Sequence, residues 1–241
     1  MSIREDSVRV MMAAQESPSR RRSRSSSTRI LIALVVMATL GASCGCRSAP
    51  SVPTSQTLRS GSSGSAVRAM QTRLNQLGFF VSPDSSYGSN TFHAVMAFQK
   101  FYGLGRDGVA GPRTLNHINL VGRPNARSTR GRVIEVDLNR QVVMLVEGGY
   151  VHHVFNTSTG DASHRTPRGS FKIFRQINGL RISPLGKLWR PKYFNGGIAL
   201  HGSPSVPAYA ASHGCVRLTD PEINFLWGTP WGRIGTTVWV Y

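Results

Sequence analysis

The chain has 241 residues, with 29 Lys and Arg against 11 Asp and Glu and a formal net charge of +18. That length allows one or two domains with a real core, and that charge draws polyanions: nucleic acid, anionic lipid or an acidic wall polymer. No nucleic-acid-binding motif and no aromatic-interleaved basic repeat accompanies the charge, which argues against nucleic acid as a partner. Of the three cysteines only Cys215 lies in the C-terminal region, which argues against a disulfide framework.

Residues 1–29 are polar, with Arg20, Arg21, Arg22 and Arg24 among serines. Residues 30–42 (ILIALVVMATLGA) are apolar and uncharged. They are short for a membrane span, which needs about 20 residues, and suit the apolar stretch of an export signal. Residues 1–46 therefore read as a signal that sends the protein to the cell envelope. Cys44, among small residues, is the candidate lipidated residue, giving membrane attachment; conventional cleavage nearby and an uncleaved anchor are the alternatives. Residues 47–57 (RSAPSVPTSQT) are rich in Ser and Pro and read as a flexible tether.

Residues 58–120 are expected to form a small all-α domain of three helices. Val67, Met70, Leu74 and Leu77 recur at helical spacing after Gly64 and Ser65, and Gly78 ends that helix. A turn over 83–88 leads to a second helix carrying Ala94, Val95, Phe98 and Tyr102, with Asn90 as its candidate cap. Asp107-Gly108 turns the chain again, and Pro112 suits the first position of a third helix. The order L-R-x-G…V…M-Q…L…L-G, then Y-G…T…A-V…F-Q…G-L…D-G…G…T-L, resembles the peptidoglycan-binding domain found beside many wall enzymes. The resemblance implies peptidoglycan glycan or peptide as partner; each apolar residue taken alone reads as core. Residues 121–131 (VGRPNARSTRG) read as a second linker, mobile and basic, with solvated arginines.

From Arg132 the pattern becomes strand-like. Residues 133–137 alternate in part, residues 141–147 are rich in valine, and Gly148-Gly149 turns the chain into a third strand over 150–157. A strand at 170–174 follows Thr166-Pro167-Arg168-Gly169. Residues 175–197 read as a long irregular loop carrying Trp189, Tyr193 and Phe194, either a flap over a site or aromatics packing a sheet edge. Short strands at 198–200 and 216–218, a helix begun by Thr219-Asp220-Pro221-Glu222 and a last strand at 236–241 complete the chain.

The chemistry concentrates in residues 201–220, HGSPSVPAYAASHGCVRLTD. A thiol attacks a carbonyl well only as thiolate, and a free cysteine has a pKa of about 8.5. An imidazole takes that proton and returns it to a departing group, so a histidine near Cys215 is expected to hold its sulfur ionised. Gly214 lets a substrate approach the backbone, where N–H groups can face a developing oxyanion. His201, His213 and Cys215 are also legitimate zinc ligands, but no compact ligand pair of the usual spacing occurs, so neither metal nor cofactor is expected. His152, His153 and His164 fall outside the motif and read as surface or packing residues.

The ordered set His201-Gly202, Ser212-His213-Gly214-Cys215 and Arg217 resembles the signature of the L,D-transpeptidases (YkuD-like), and the resemblance extends over residues 132–241. It implies a two-domain chain: the three-helix domain, then a mostly-β domain that is a β-sandwich with a short helix. It implies that Cys215 is the nucleophile, that His201 is the general base with its tautomer fixed by Gly202, and that His213 and Gly214 shape the oxyanion side. Arg217 would hold a substrate carboxylate, with Ser212 and Gly202 completing the substrate side. The implied activity is acyl transfer from a peptidoglycan tetrapeptide stem, releasing D-alanine and forming a 3→3 crosslink. An L,D-carboxypeptidase using water and a non-catalytic wall-binding protein are the alternatives. A cysteine endopeptidase of another wall family fits less well, because here histidine precedes cysteine. Acceptor, third stem residue and oligomeric state are open at this level.

Overall fold

The computed structural model describes residues 51–241, all within one compact unit, Cys46–Tyr241. The expected export signal, Cys44, Cys46 and the start of the tether lie outside the described residues. Among the described residues no helix is long and apolar enough to cross a membrane.

Three helices come first: α1 (Ser65–Gln76), α2 (Ser89–Phe101) and α3 (Pro112–Leu120). The periodic residues of α1, Val67, Met70 and Leu74, are fully buried. Gly78 follows the helix at φ +94°, a left-handed conformation that suits glycine. Pro112 occupies the start of α3 as expected. The cap of α2 differs from expectation: the helix starts from Gly88, with Asn90 inside its first turn. The buried Gln71 amide nitrogen lies 2.7–2.9 Å from Asp84 Oδ1, the Ser86 carbonyl and Thr91 Oγ1, sharing its two N–H groups among them and tying the turn to the start of α2. The tether is also less free than its composition implies. Val52 is buried, and its N–H and carbonyl each bond the Asn119 side chain at 2.9 Å.

Ten strands follow: β1 (Arg132–Asp137), β2 (Val142–Glu147), β3 (Tyr150–Asn156), β4 (Gly169–Lys172), β5 (Arg175–Gln176), β6 (Leu180–Ser183), β7 (Gly186–Asn195), β8 (Ile198–Gly202), β9 (Val216–Leu218) and β10 (Thr237–Val240). One sheet has the order β3-β2-β1-β10-β4, with β1 and β10 parallel. The other has the order β5-β7-β8-β9, with β6 paired to β7 and β8 parallel to β9. Helix α4 (Asp220–Trp227) follows β9 and starts from a capping box between Thr219 and Glu222. Where the sequence reads as an irregular loop over 175–197, the chain forms β5 and the β6–β7 hairpin. Leu180 and Ile182 alternate with Arg181 and Ser183 along β6, but both are exposed, and four residues make too short a run to stand out.

The valine run of β2 has a direct structural cause: both faces of the strand are covered. Val143 and Leu145 join the core of Leu200, Val216, Leu218, Ile223 and Leu226, from the second sheet and α4. Val142, Met144 and Val146 join the core of the helices, with Phe79, Phe98 and Leu115. A strand buried on both sides reads as a continuous apolar run. The chain leaving α1 also pairs with β3, the Val154 N–H donating to the Gly78 carbonyl at 2.8 Å and the Phe80 N–H to the Val154 carbonyl at 3.2 Å.

Residues 121–131, expected to be mobile, are pinned. The Arg123 guanidinium donates to the carbonyls of Gln76, Val151 and His152 at 2.6, 2.9 and 3.2 Å. The backbone N–H groups of Arg127 and Ser128 donate to the buried Glu135 carboxylate, and the Arg127 guanidinium lies 3.9 Å from the Tyr241 ring centroid. A buried carboxylate needs such donors, and the linker supplies them.

Phe79 belongs to the helical region but is buried in the core shared with β2 and β3. Phe79→Ala is expected to cost about 3–5 kcal/mol and to lower a single unfolding transition. All four tryptophans lie at 189 and beyond, so tryptophan fluorescence reports the β region and far-ultraviolet circular dichroism the whole. The two signals are expected to move together; separate transitions would contradict the shared core.

Candidate active site

Strands β8 and β9 pair Leu200 with Val216, His201 with Arg217 and Gly202 with Leu218. Successive residues of a strand point to opposite faces. Leu200, Val216 and Leu218 are buried in the core. His201 and Arg217 therefore take the other face, and Cys215, one residue before β9, joins them there. All three line one cavity of about 670 Å³.

His201 is 6% exposed. Its Nδ1 lies 2.8 Å from the Gly202 carbonyl oxygen. A carbonyl only accepts, so Nδ1 carries the proton and Nε2 keeps its lone pair. Burial pushes the His201 pKa below 6.5, helped by the Arg217 charge and opposed by the Gly202 carbonyl. The ring is thus a neutral imidazole with a free basic nitrogen. Gly202 fits its place for lack of a side chain: a Cβ there would meet Asp220 Oδ1, Ile223 Cγ2 at 2.9 Å and Trp189 Cδ1 at 3.0 Å.

Cys215 is a free thiol. Burial pushes its pKa above 9.0, and a backbone contact at Ala199 and the Arg217 charge oppose this only in part. The expected standing thiolate is therefore not favoured. Desolvation disfavours both charged forms, so a thiol and a neutral imidazole are the favoured resting forms.

The turn carrying Cys215 is fixed from behind. Gly214 has φ +103°, which strains any other residue. Thr166 Oγ1 donates to the Gly214 carbonyl at 2.8 Å and accepts from the Gly160 N–H at 2.9 Å. The Ser212 hydroxyl donates to the Cys215 carbonyl, so this side chain holds the turn as well as lining the cavity. His213 is exposed, and its ring centroid lies 4.6 Å from that of His164. Arg217 is anchored through its backbone: its N–H donates to the Ser158 carbonyl at 3.0 Å, and its carbonyl accepts from Thr157 Oγ1 at 2.7 Å.

The cavity gathers all seven residues expected at a site except two: Gly202 supports it through the His201 bond, and Gly214 sits within the turn below it. It also contains residues that the sequence did not single out. Arg175, Arg181 and Lys187 line it beside Arg217, with no Asp or Glu among its lining residues. The Arg175 guanidinium is stacked 4.0 Å from the Tyr193 ring centroid. Leu185 and Leu188 contribute an apolar wall from the β6–β7 hairpin. Thr166 was visible only as part of a Thr-Pro turn, and the hairpin cations lay in a segment that read as an irregular loop. Among the described residues no three His, Cys, Asp or Glu side chains group to hold a metal ion.

Comparison with known proteins follows the same division of the chain. The family model of the peptidoglycan binding domain matches residues 63–118, and that of the L,D-transpeptidase catalytic domain matches residues 131–240. An L,D-transpeptidase structure from Xylanimonas cellulosilytica is 45% identical, with a TM-score of 0.74, over 78% of this chain and 99% of that one. Among curated proteins, an N-acetylmuramoyl-L-alanine amidase of Bacillus licheniformis is 47% identical over 60 residues, 24% of this chain. A zinc D-Ala-D-Ala carboxypeptidase of Streptomyces albus G is 46% identical over 67 residues, 27% of this chain. The chain spans only 17% and 26% of those two proteins.

The raised thiol pKa gives a direct test. Iodoacetamide labelling of Cys215 across pH is expected to show a midpoint above that of an ordinary free thiol. A midpoint well below that of a free thiol, as for a preformed thiolate–imidazolium pair, would contradict the neutral resting state.

Proposed function

The chain belongs to the L,D-transpeptidase family, and on that premise we propose that it is a cell-envelope enzyme that joins peptidoglycan stems through an acyl group carried on Cys215. The observation that carries this reading is the pairing of β8 with β9, which brings a fixed imidazole tautomer and a free thiol to one cavity.

In the proposed reaction, Sγ of Cys215 attacks the carbonyl carbon of the third stem residue while its proton passes to Nε2 of His201. The negative charge on the carbonyl oxygen is met by N–H groups of the turn formed by His213, Gly214 and Cys215. Preformed donors of this kind are each worth ~10²–10³ in rate. The C–N bond to the terminal D-alanine then breaks, and the departing amine takes the proton from Nε2. This leaves a thioester on Cys215. An amine from the side chain of a second stem attacks that thioester, gives its extra proton to His201, and releases the sulfur, which is reprotonated. The product is a 3→3 crosslink. Arg217 pairs with a substrate carboxylate through its planar fork. The helical domain keeps the enzyme on peptidoglycan, and the N-terminal segment exports it, with Cys44 as the lipid attachment point.

The neutral resting pair sets the sign of the pH dependence. Protonated His201 cannot accept the thiol proton, so activity falls as pH drops through its pKa. Because burial depresses that pKa, the acid limb of kcat/KM is expected below pH 6.5.

Incubation with a disaccharide-tetrapeptide, followed by mass analysis, is expected to give a crosslinked dimer and free D-alanine. Trimmed tripeptide alone would assign water as the acceptor. Cys215→Ala and His201→Ala are each expected to abolish D-alanine release, and turnover by the cysteine variant would end the proposal.

A further inference from the structure

Between His201 and Cys215 the chain leaves the sheet and returns through residues 203–215. Four consecutive carbonyls of this crossover are held by hydrogen bonds. Asn156 Nδ2 donates to the Val206 carbonyl at 3.2 Å. Lys100 Nζ donates to the Pro207 carbonyl at 3.1 Å. Arg106 donates to the Ala208 carbonyl at 3.3 Å. The Ser158 hydroxyl donates to the Tyr209 carbonyl at 2.7 Å. Two of these donors, Lys100 on α2 and Arg106 after it, belong to the helical domain.

Lys100 does more than hold one carbonyl. It is 1% exposed, and its ammonium also donates to Asn156 Oδ1 at 2.6 Å and to the Thr157 carbonyl at 2.7 Å. Three donors thus meet three acceptors. Through Oδ1 it orients the Asn156 amide, so that Nδ2 faces the Val206 carbonyl and His93 Nδ1, the latter 2.8 Å away. The Asn156 backbone N–H donates to Glu222 at the start of α4. Thr157 in turn holds the backbone of Arg217. One buried side chain on α2 therefore touches, directly or through one neighbour, the crossover, the strand carrying Arg217 and the cap of α4. An ammonium taken out of water needs such complete pairing.

We propose that the helical domain is a positioning element of the acyl-transfer site, with Lys100 and Arg106 clamping the crossover that sets Cys215 against His201. The inference rests on the transpeptidase reading. Neither residue touches substrate; both act through the backbone of residues 206–209. Small displacements at a reacting centre are costly, with about 1 Å of misplacement capable of a 10²-fold loss.

The test uses Lys100→Met, which keeps the aliphatic length and removes the three donors, and Arg106→Ala, which lies on the surface and spares the core. For Lys100→Met, kcat of D-alanine release from the disaccharide-tetrapeptide is expected to fall by at least about tenfold, with KM nearly unchanged. At a pH above the thiol's pKa, iodoacetamide labelling of Cys215 should stay near the wild-type rate, since the ionised sulfur then needs no help from His201. Arg106→Ala is expected to lower kcat by about threefold. An inactive wild type sinks the transpeptidase reading itself. An active wild type with both variants at its kcat overturns the clamp alone. Equal losses in turnover and labelling would make Lys100 a folding residue and also overturn it. Should Lys100→Met fail to fold, Arg106→Ala decides, and wild-type kcat there counts against the proposal.

Discussion

Parallel strands cannot be joined by a tight turn. Because β8 and β9 are parallel, the chain that delivers His201 must leave the sheet, travel along its edge and return before it can deliver Cys215. The pairing of Leu200 with Val216 sets the height at which it returns. A slip of one residue would send His201 into the core and a leucine into the cavity, because side chains alternate between faces. The burial of Leu200, Val216 and Leu218 guards against that slip. The apolar face of this short pair is what fixes the polar one.

On the polar face, the Gly202 carbonyl decides which imidazole nitrogen is basic, and burial decides that the pair rests uncharged. A thiol that stays protonated is a poor target for oxidants and stray electrophiles, since thiolate is the reactive form. Arg217 adds to the burial that lowers the His201 pKa, and with Arg175, Arg181 and Lys187 it gives the cavity a positive lining.

Legibility in the sequence followed periodicity and punctuation. Val67, Met70 and Leu74 announced α1, and Thr219 with Glu222 announced α4, because spacing and caps are local properties. The set from His201 to Arg217 stood out because its small residues and histidines surround a single cysteine. Other features were hidden for physical reasons. Leu180 and Ile182 alternate with Arg181 and Ser183, but over only four residues and with no buried face, so β6 passed for part of a loop. Lys100 looks like one more surface lysine on a helix, and nothing nearby in sequence says that Pro207 will be its partner. Arg123 and Arg127 read as solvated linker charge because the carbonyls and carboxylate they serve are supplied by other segments. Long-range polar pairing leaves no periodic mark.

The first sheet packs one face on the second sheet and α4, and on its other face the helices cover β2 and β3. The helices are therefore no separable attachment: Phe79 and the outward side chains of β2 and β3 share one core. Cutting away residues 58–120 would lay bare Val142, Met144, Val146, Val151 and Val154 in one stripe, an invitation to aggregate. A lineage that traded this module for another would have had to repaint that stripe in the same step, so the helices and the sheet are bound to change in concert.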